Sequence, residues 1–416
     1  MKIGFVTQPG HAVLPAAGSI EIWADNVARR LAPRHAVTVY ASGAPSQPAT
    51  DSRNGITYRL ISHQSSATLL RLLRVAWRVL PPTRPFFAST LHPRRYWIDV
   101  AKEARRQDDE VVHVFNYSQA LPVLRRFTDA KLVLHMHCEW LTQLDERMID
   151  KRLRHADLIV GCSDYITDKI RLRFPQHATR CMTIYNGVDT DAPPARTEEA
   201  TSAIQFLNVG RVSPEKGLHV LLDALEDVIR SHPRLELTIL GEESPVPYEF
   251  AVKISSDDLV KDLGRFYGGS YLQRLRDQMS PELAERVTFV DRVPHEQTRQ
   301  YYSDADVFVF PSIFEAFPIP PIEAMSAGVP VIASKAGGVV ESVVDGRTGL
   351  LVERDDPAGL AQAIRRLVED PETRRSFGAA GRARAVELYA WPRIVDDVEE
   401  AFSSLVHPAA GRHSGE

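Results

Sequence analysis

Short runs of consecutive apolar residues, such as Val307-Phe308-Val309-Phe310, alternate along the chain with longer stretches that read as helices. A run with no polar position has no face to give to water, so it predicts a strand covered on both sides. Such strands belong to parallel sheets wrapped by helices, and the repeated alternation places the chain in the α/β class. The first half opens with a strand at 2–7, a loop, a helix at 20–32 and a strand at 37–40, with further strands expected at 111–115, 131–135 and 158–161. The pattern restarts at 205–211 and recurs at 235–240, 287–290, 307–310 and 329–333. Between the halves lies DAPPARTEEATSA, a linker composition rich in Pro, Ala and charge. The expected organisation is therefore a Rossmann-like domain at 1–190, a linker at 191–203, a second Rossmann-like domain at 204–390 and a last helix at 391–405. Two parallel sheets of this kind imply a central ligand cleft. Residues 244–280 exceed a normal strand-to-helix connection and form either a functional insertion or a peripheral decoration.

Composition narrows the class. A chain of 416 residues with 44% hydrophobic content can fill two cores, and a net charge of −4 gives no general attraction to nucleic acid. Cys138, Cys162 and Cys181 are an odd number without metal-type pairing, and Met1-Lys2 leads straight into a strand. With no apolar span long enough to cross a bilayer, the expectation is a reduced, cytoplasmic protein.

The candidate chemistry gathers at strand ends. In FEAFPIPPIEAMSAGVPVIAS, Glu315 and Glu323 flank the passage from a buried strand through a loop into a helix that Pro320-Pro321 can open. Helix N-termini favour anions, so a diphosphate can lie against this loop while the carboxylates accept hydrogen bonds from sugar and ribose hydroxyls. Alternatively, Glu323 merely complements the helix dipole. The loop 209–217 carries Arg211 and Lys216 ahead of another helix, and two fixed cations there can stabilise a leaving diphosphate. The loop 8–19 lacks the G-x-G-x-x-G spacing, which weighs against a dinucleotide-dependent dehydrogenase. His135 and His137 could begin a zinc site, but no further pair of ligands completes it, and no metal or cofactor is expected.

Over nearly its whole length the chain resembles the retaining glycosyltransferases of family 4, which have the GT-B fold. Glu315-x7-Glu323, the GRxxxxKG loop of Arg211 and Lys216, and the strand KLVLHMH ending at His137 carry the resemblance. It implies sugar transfer from a nucleoside-diphosphate sugar, a UDP-sugar being expected, to a hydroxyl acceptor. Glu315 and His137 would then contact the transferred sugar, Glu323 the ribose, Arg211 and Lys216 the diphosphate, Gly18 the end of a phosphate- and acceptor-facing loop, and Arg292 the neighbourhood of the base. His135 is then a packed histidine, and the stretch from Gly337 to Val352 is mainly architectural. One departure stands out: where relatives carry glycines after the first glutamate, this chain has Ala316 and Pro318, leaving the amides of Phe317 and Ile319 as donors.

Two rival functions share these residues. A nucleotide-sugar epimerase would need no acceptor, and a non-catalytic sugar-nucleotide binding protein would use the same contacts without turnover. The basic segment 69–95, in which residues 69–80 could form a helix with Arg71, Arg74 and Arg78 on one side, followed by Arg84, Arg94 and Arg95, offers peripheral contact with an anionic membrane. The alternative is a packed helix that extends its arginines into water.

Overall fold

The structure, a computed structural model, describes residues 1–9, 18–43, 50–61, 81–191 and 203–408. The chain divides into two compact units, Met1–Tyr185 with Trp391–Glu416, and Asn186–Ala390. This division falls ahead of the Pro- and Ala-rich stretch, of which residues 192–202 lie outside the described residues. The reason is local: Asn186 Nδ2 donates to Phe317 O at 2.8 Å and Val188 N–H to Tyr389 O at 2.8 Å, both within the second unit.

Among the described residues, the first unit holds β1 (Lys2–Val6), β2 (Ala36–Ser42), β3 (Thr50–Arg53), β4 (Ile56–Ile61), β5 (Val111–Phe115), β6 (Lys131–Met136), β7 (Leu158–Gly161) and β8 (Cys181–Thr183). They form one sheet in the order β3-β4-β2-β1-β5-β6-β7-β8, parallel except for the β3–β4 hairpin. That hairpin was not among the expected strands. Its signal is Asn54-Gly55, whose φ angles of 53° and 77° suit the tight turn that matches strand twist. The helix Trp391–Val406 belongs to this unit, lying against the helix Ser19–Leu31. Ile394, Val398 and Phe402, spaced by four, are fully buried, and Phe402 meets the rings of Phe5 and His113. Burying each such side chain stabilises the fold by about 1.5–3 kcal/mol.

The second unit holds β9 (Ile204–Val209), β10 (Leu235–Leu240), β11 (Val287–Val290), β12 (Val307–Phe310), β13 (Val331–Ser334) and β14 (Gly349–Val352) among the described residues. All pair in parallel, in the order β11-β10-β9-β12-β13-β14. β12 explains its unbroken apolar run. Val307 and Val309 pack into one core with the helices Leu218–Val228 and Pro357–Glu369, while Phe308 and Phe310 pack into another with Ala324 and Met325.

Sheet order also locates the ligand ends. It changes direction between β9 and β12 in the second unit, and between β1 and β5 in the first. At such a switch point the connections leave toward opposite faces and open a crevice at the carboxyl ends of the strands. The loops carrying Arg211, Lys216 and Glu315 leave β9 and β12, and the one ending at Gly18 leaves β1.

Residues 244–280 fold as short helical turns, with Val252, Val260, Leu263, Tyr271 and Leu275 in the core of the second unit. Tyr271 Oη lies 2.7 Å from His219 Nδ1, and Asp257 pairs with Arg354 at 2.6 Å. Arg354 also donates to Ile313 O at 3.0 Å, so the insertion braces the segment after β12.

Candidate active site

Two glycines set the geometry at the switch point of the second unit. Gly217, with φ 66°, ends the loop after β9 and caps the helix Leu218–Val228. A Cβ on it would lie 2.0 Å from Pro311 O, so the loops after β9 and β12 meet backbone to backbone. Gly241, with φ 149°, lets the loop after β10 approach in the same way, since its Cβ would lie 2.0 Å from Gly210 O. Ile313 N–H donates to Glu215 O at 2.8 Å, closing the contact. This packing brings Lys216 Nζ to 2.5 Å from Glu315 Oε1, with only 16% and 10% of the two side chains exposed. Two residues 99 positions apart in sequence thus form a charge-assisted hydrogen bond.

Arg211 lies in the same loop, 45% exposed, its Nη2 2.9 Å from Glu215 Oε1. Glu215 is buried, and its other oxygen accepts from Ser213 Oγ. Ser213 Oγ in turn accepts from Val246 N–H, while Val212 N–H donates to Glu242 O at 2.9 Å. The cation is therefore aimed by a carboxylate that is itself fixed by the loop after β10. Sequence reasoning missed Glu215, Ser213 and Gly241. Only Glu215, lying four residues after Arg211 within the motif, carried a readable signal.

Glu323 sits in the helix Ile319–Ser326, 12% exposed, with both oxygens engaged. Oε1 lies 2.5 Å from His295 Nε2, and Oε2 accepts from Tyr302 Oη at 2.7 Å. The hydrogen bond and charge of Glu323 hold the His295 pKa above its ordinary value, against the opposing effect of burial. Burial, with Glu323 beside it, raises that of Tyr302 well above the usual phenol range. Both partners lie on the helix His295–Asp304 and were not recognised from sequence. The first helical turn is poor in donors, because Pro320 and Pro321 have no N–H and leave those of Ile319 and Ile322. Phe317 is buried, with its ring against Tyr389 at 5.4 Å. Arg292, just past β11, points its guanidinium at Glu242, 3.3 Å away.

In the first unit, Gly18 caps the helix Ser19–Leu31 in an extended conformation, and a Cβ there would lie 2.5 Å from Glu21 Oε2. The rest of its loop, residues 10–17, lies outside the described residues. Glu21 is 3% exposed, and among the described residues its Oε1 has no hydrogen-bond partner. His137 follows β6, its N–H held at 2.7 Å by Asn116 Oδ1, where Asn116 turns left-handed after β5. Among the described residues, neither ring nitrogen of His137 has a hydrogen-bond partner, and burial pushes its pKa down to about 3. His135 is fully buried and packs edge-on against Trp23, with Nδ1 3.2 Å from His113 Nε2, as a packed histidine should. Glu139 is tied to Tyr165 at 2.6 Å and Lys169 at 2.8 Å. Among the described residues, no group of three or more His, Cys, Asp or Glu side chains is arranged to hold a metal.

The basic segment is seen only in part, since residues 69–80 lie outside the described residues. Within its described remainder, Arg84 pairs with Asp145 at 3.1 Å and Arg95 with Asp99 at 3.8 Å, so those charges are partly compensated. Among the described residues, no helix is long and apolar enough to cross a membrane.

Comparison with known proteins identifies the family and the fold. Residues 189–384 match the model for glycosyl transferases group 1, and residues 20–192 the model for Glycosyltransferase Family 4. Spore coat protein SA of Bacillus subtilis (strain 168) is 26% identical over 401 residues, covering 92% of this chain and 93% of its own. Glycogen synthase of Mycobacterium tuberculosis is 28% identical over 308 residues, covering 70% of this chain and 68% of its own. The crystal structure of Anabaena HepE in complex with UDP and glucose superposes with a TM-score of 0.69 at 22% identity, covering 97% of this chain and 100% of HepE.

Proposed function

Because the chain belongs to glycosyltransferase family 4, with the GT-B fold and the activity of a hexosyltransferase-type enzyme, we propose that it moves a sugar from a nucleoside-diphosphate sugar to a hydroxyl acceptor with retention at the anomeric carbon. The observation that carries this reading is the cluster of Lys216, Glu315 and Arg211 at the switch point of the second unit. Arg211 and Lys216 take the negative charge that grows on the diphosphate as the glycosidic bond breaks, without requiring a metal. Glu315 stabilises the positive charge on the departing sugar, and Glu323 receives the ribose hydroxyls. The acceptor oxygen then bonds to the anomeric carbon on the face that the phosphate leaves, and its proton passes to that phosphate. His137, held neutral by burial, contributes hydrogen bonding rather than proton transfer. UDP is the expected nucleotide, in keeping with the UDP and glucose named in the HepE complex.

The test begins with a thermal-shift panel of nucleotide sugars, since a ligand that binds only the folded state raises its melting temperature. The selected donor is then incubated with sugar, polyol and lipid-linked acceptors, and the product anomer is read by NMR. A product with the donor's anomeric configuration is expected. Isomerisation of the donor without acceptor would replace this reading with an epimerase. Binding without turnover across the panels would make the chain a sugar-nucleotide binding protein.

A further inference from the structure

Glu323 has more acceptor capacity than its protein partners use. An ionised carboxylate offers about four lone-pair sites on its two oxygens. His295 takes one on Oε1 and Tyr302 one on Oε2, which leaves one on each oxygen. Two free sites on adjacent oxygens match a vicinal diol, which presents two hydroxyl donors side by side. Resting on the reading of Glu323 as the ribose carboxylate, we propose that His295 and Tyr302 are positioning residues that hold Glu323 in its orientation, so that His295 sets the preference for a ribonucleotide over a deoxyribonucleotide.

The surroundings favour this role over simple tethering. Tyr302 is 3% and Glu323 12% exposed, whereas His295 is 39% exposed and can exchange protons with solvent. The groups facing His295 are Glu323 from the helix Ile319–Ser326, Asp189 from the start of the second unit, and Arg299 from its own helix. Asp189 is itself occupied by Arg299 at 2.6 Å, which leaves Glu323 as the dominant partner. The sign follows: with its pKa raised above the ordinary imidazole value, His295 keeps its charge to higher pH than a free imidazole and loses it as pH rises through the raised value. Above it, Glu323 loses a charged donor and grips the ribose less firmly.

The experiment measures calorimetric affinity for UDP, GDP and ADP, takes the tightest, and compares it with its 2′-deoxy and 3′-deoxy forms. For the wild type, a preference of about tenfold for the ribonucleotide is expected, the scale of one charge-assisted hydrogen bond. In His295→Ala, that preference should fall to within about threefold while the deoxy forms bind almost as before, and His295→Gln should restore part of it. The wild-type preference should also shrink as pH rises, whereas that of His295→Ala stays flat. Tyr302→Phe, which removes only a hydroxyl, gives a second variant with the same expected direction. Equal weakening of ribo and deoxy forms in His295→Ala, with the preference kept, would overturn the proposal and leave His295 structural. A different set of results would sink the ribose reading itself: no preference in the wild type, a preference that survives Glu323→Gln, or no binding of any diphosphate.

Discussion

Glu315→Gln separates the ground state of donor binding from the transition state, and the two should move in opposite directions. In the free protein, Lys216 gives one hydrogen bond to Glu315 at 2.5 Å. A diphosphate that recruits Lys216 must share that ammonium or draw it away. With 16% and 10% of the two side chains exposed, the pair is screened little by water, and a hydrogen bond between charged groups contributes about 1.5–3 kcal/mol. Lysine has three donors and can serve both partners, so about half of that energy is a reasonable measure of the competition. Replacing the carboxylate by a neutral amide should therefore tighten binding of the free nucleoside diphosphate by roughly three- to tenfold. Turnover should fall by at least about a hundredfold, because the charge that faces the departing sugar is lost only where it matters, in the transition state. Lys216→Ala should weaken the nucleotide and slow the reaction together. The assay is calorimetric binding of the diphosphate beside initial rates with saturating donor. Weaker nucleotide binding in a folded Glu315→Gln protein would refute the competition, and unchanged turnover would remove Glu315 from the chemistry.

Other expectations concern the frame that holds these groups. Burial raises the Asp109 pKa from 3.8 to about 7 despite the hydrogen bond from Tyr40, so the folded state loses stability as pH rises from about 4 to 7; Asp109→Asn should be more stable than wild type by on the order of 2–4 kcal/mol at pH 8 and nearly equal to it at pH 4, measured by chemical denaturation of the first unit's signal. His113 shows the reverse sign: with its pKa pushed down to about 3 by burial, stability is lost as pH falls below 6.5, and His113→Phe should narrow the difference in melting temperature between pH 5 and pH 8. Gly217→Ala forces a Cβ to within 2.0 Å of Pro311 O at a left-handed φ, so activity should drop with Lys216 displaced, and a fully active variant would show that the two loops need not touch.

Much of this protein was legible before folding. The run Val307-Phe308-Val309-Phe310 requires cover on both faces whatever surrounds it, and the two cores it joins supply that cover. The motifs of Arg211 and Lys216, and of Glu315 and Glu323, lie at strand ends because local periodicity alone marks where strands stop. The β3–β4 hairpin was also written in the chain, as Asn54-Gly55, and was overlooked because β3 is only four residues long and polar.

The partners of these residues were a different matter. Periodicity reports which side of an element is apolar, over a span of a few residues, whereas a hydrogen bond between distant side chains depends on strand order and loop approach. Nothing near Glu323 announces His295 or Tyr302, which come from another helix, and nothing near Lys216 announces that its ammonium meets Glu315. The Lys216–Glu315 contact exists because β9 and β12 are neighbours at the switch point and because Gly217 permits the loops to touch, and the Glu323 contacts because the helices on either side of β12 in sequence meet in space. By itself the sequence determined the α/β class, the two repeated halves and the residue types available for chemistry. The tertiary structure decided which of them are paired, since pairing depends on distance in space and burial, neither of which a linear pattern of apolar and polar positions encodes.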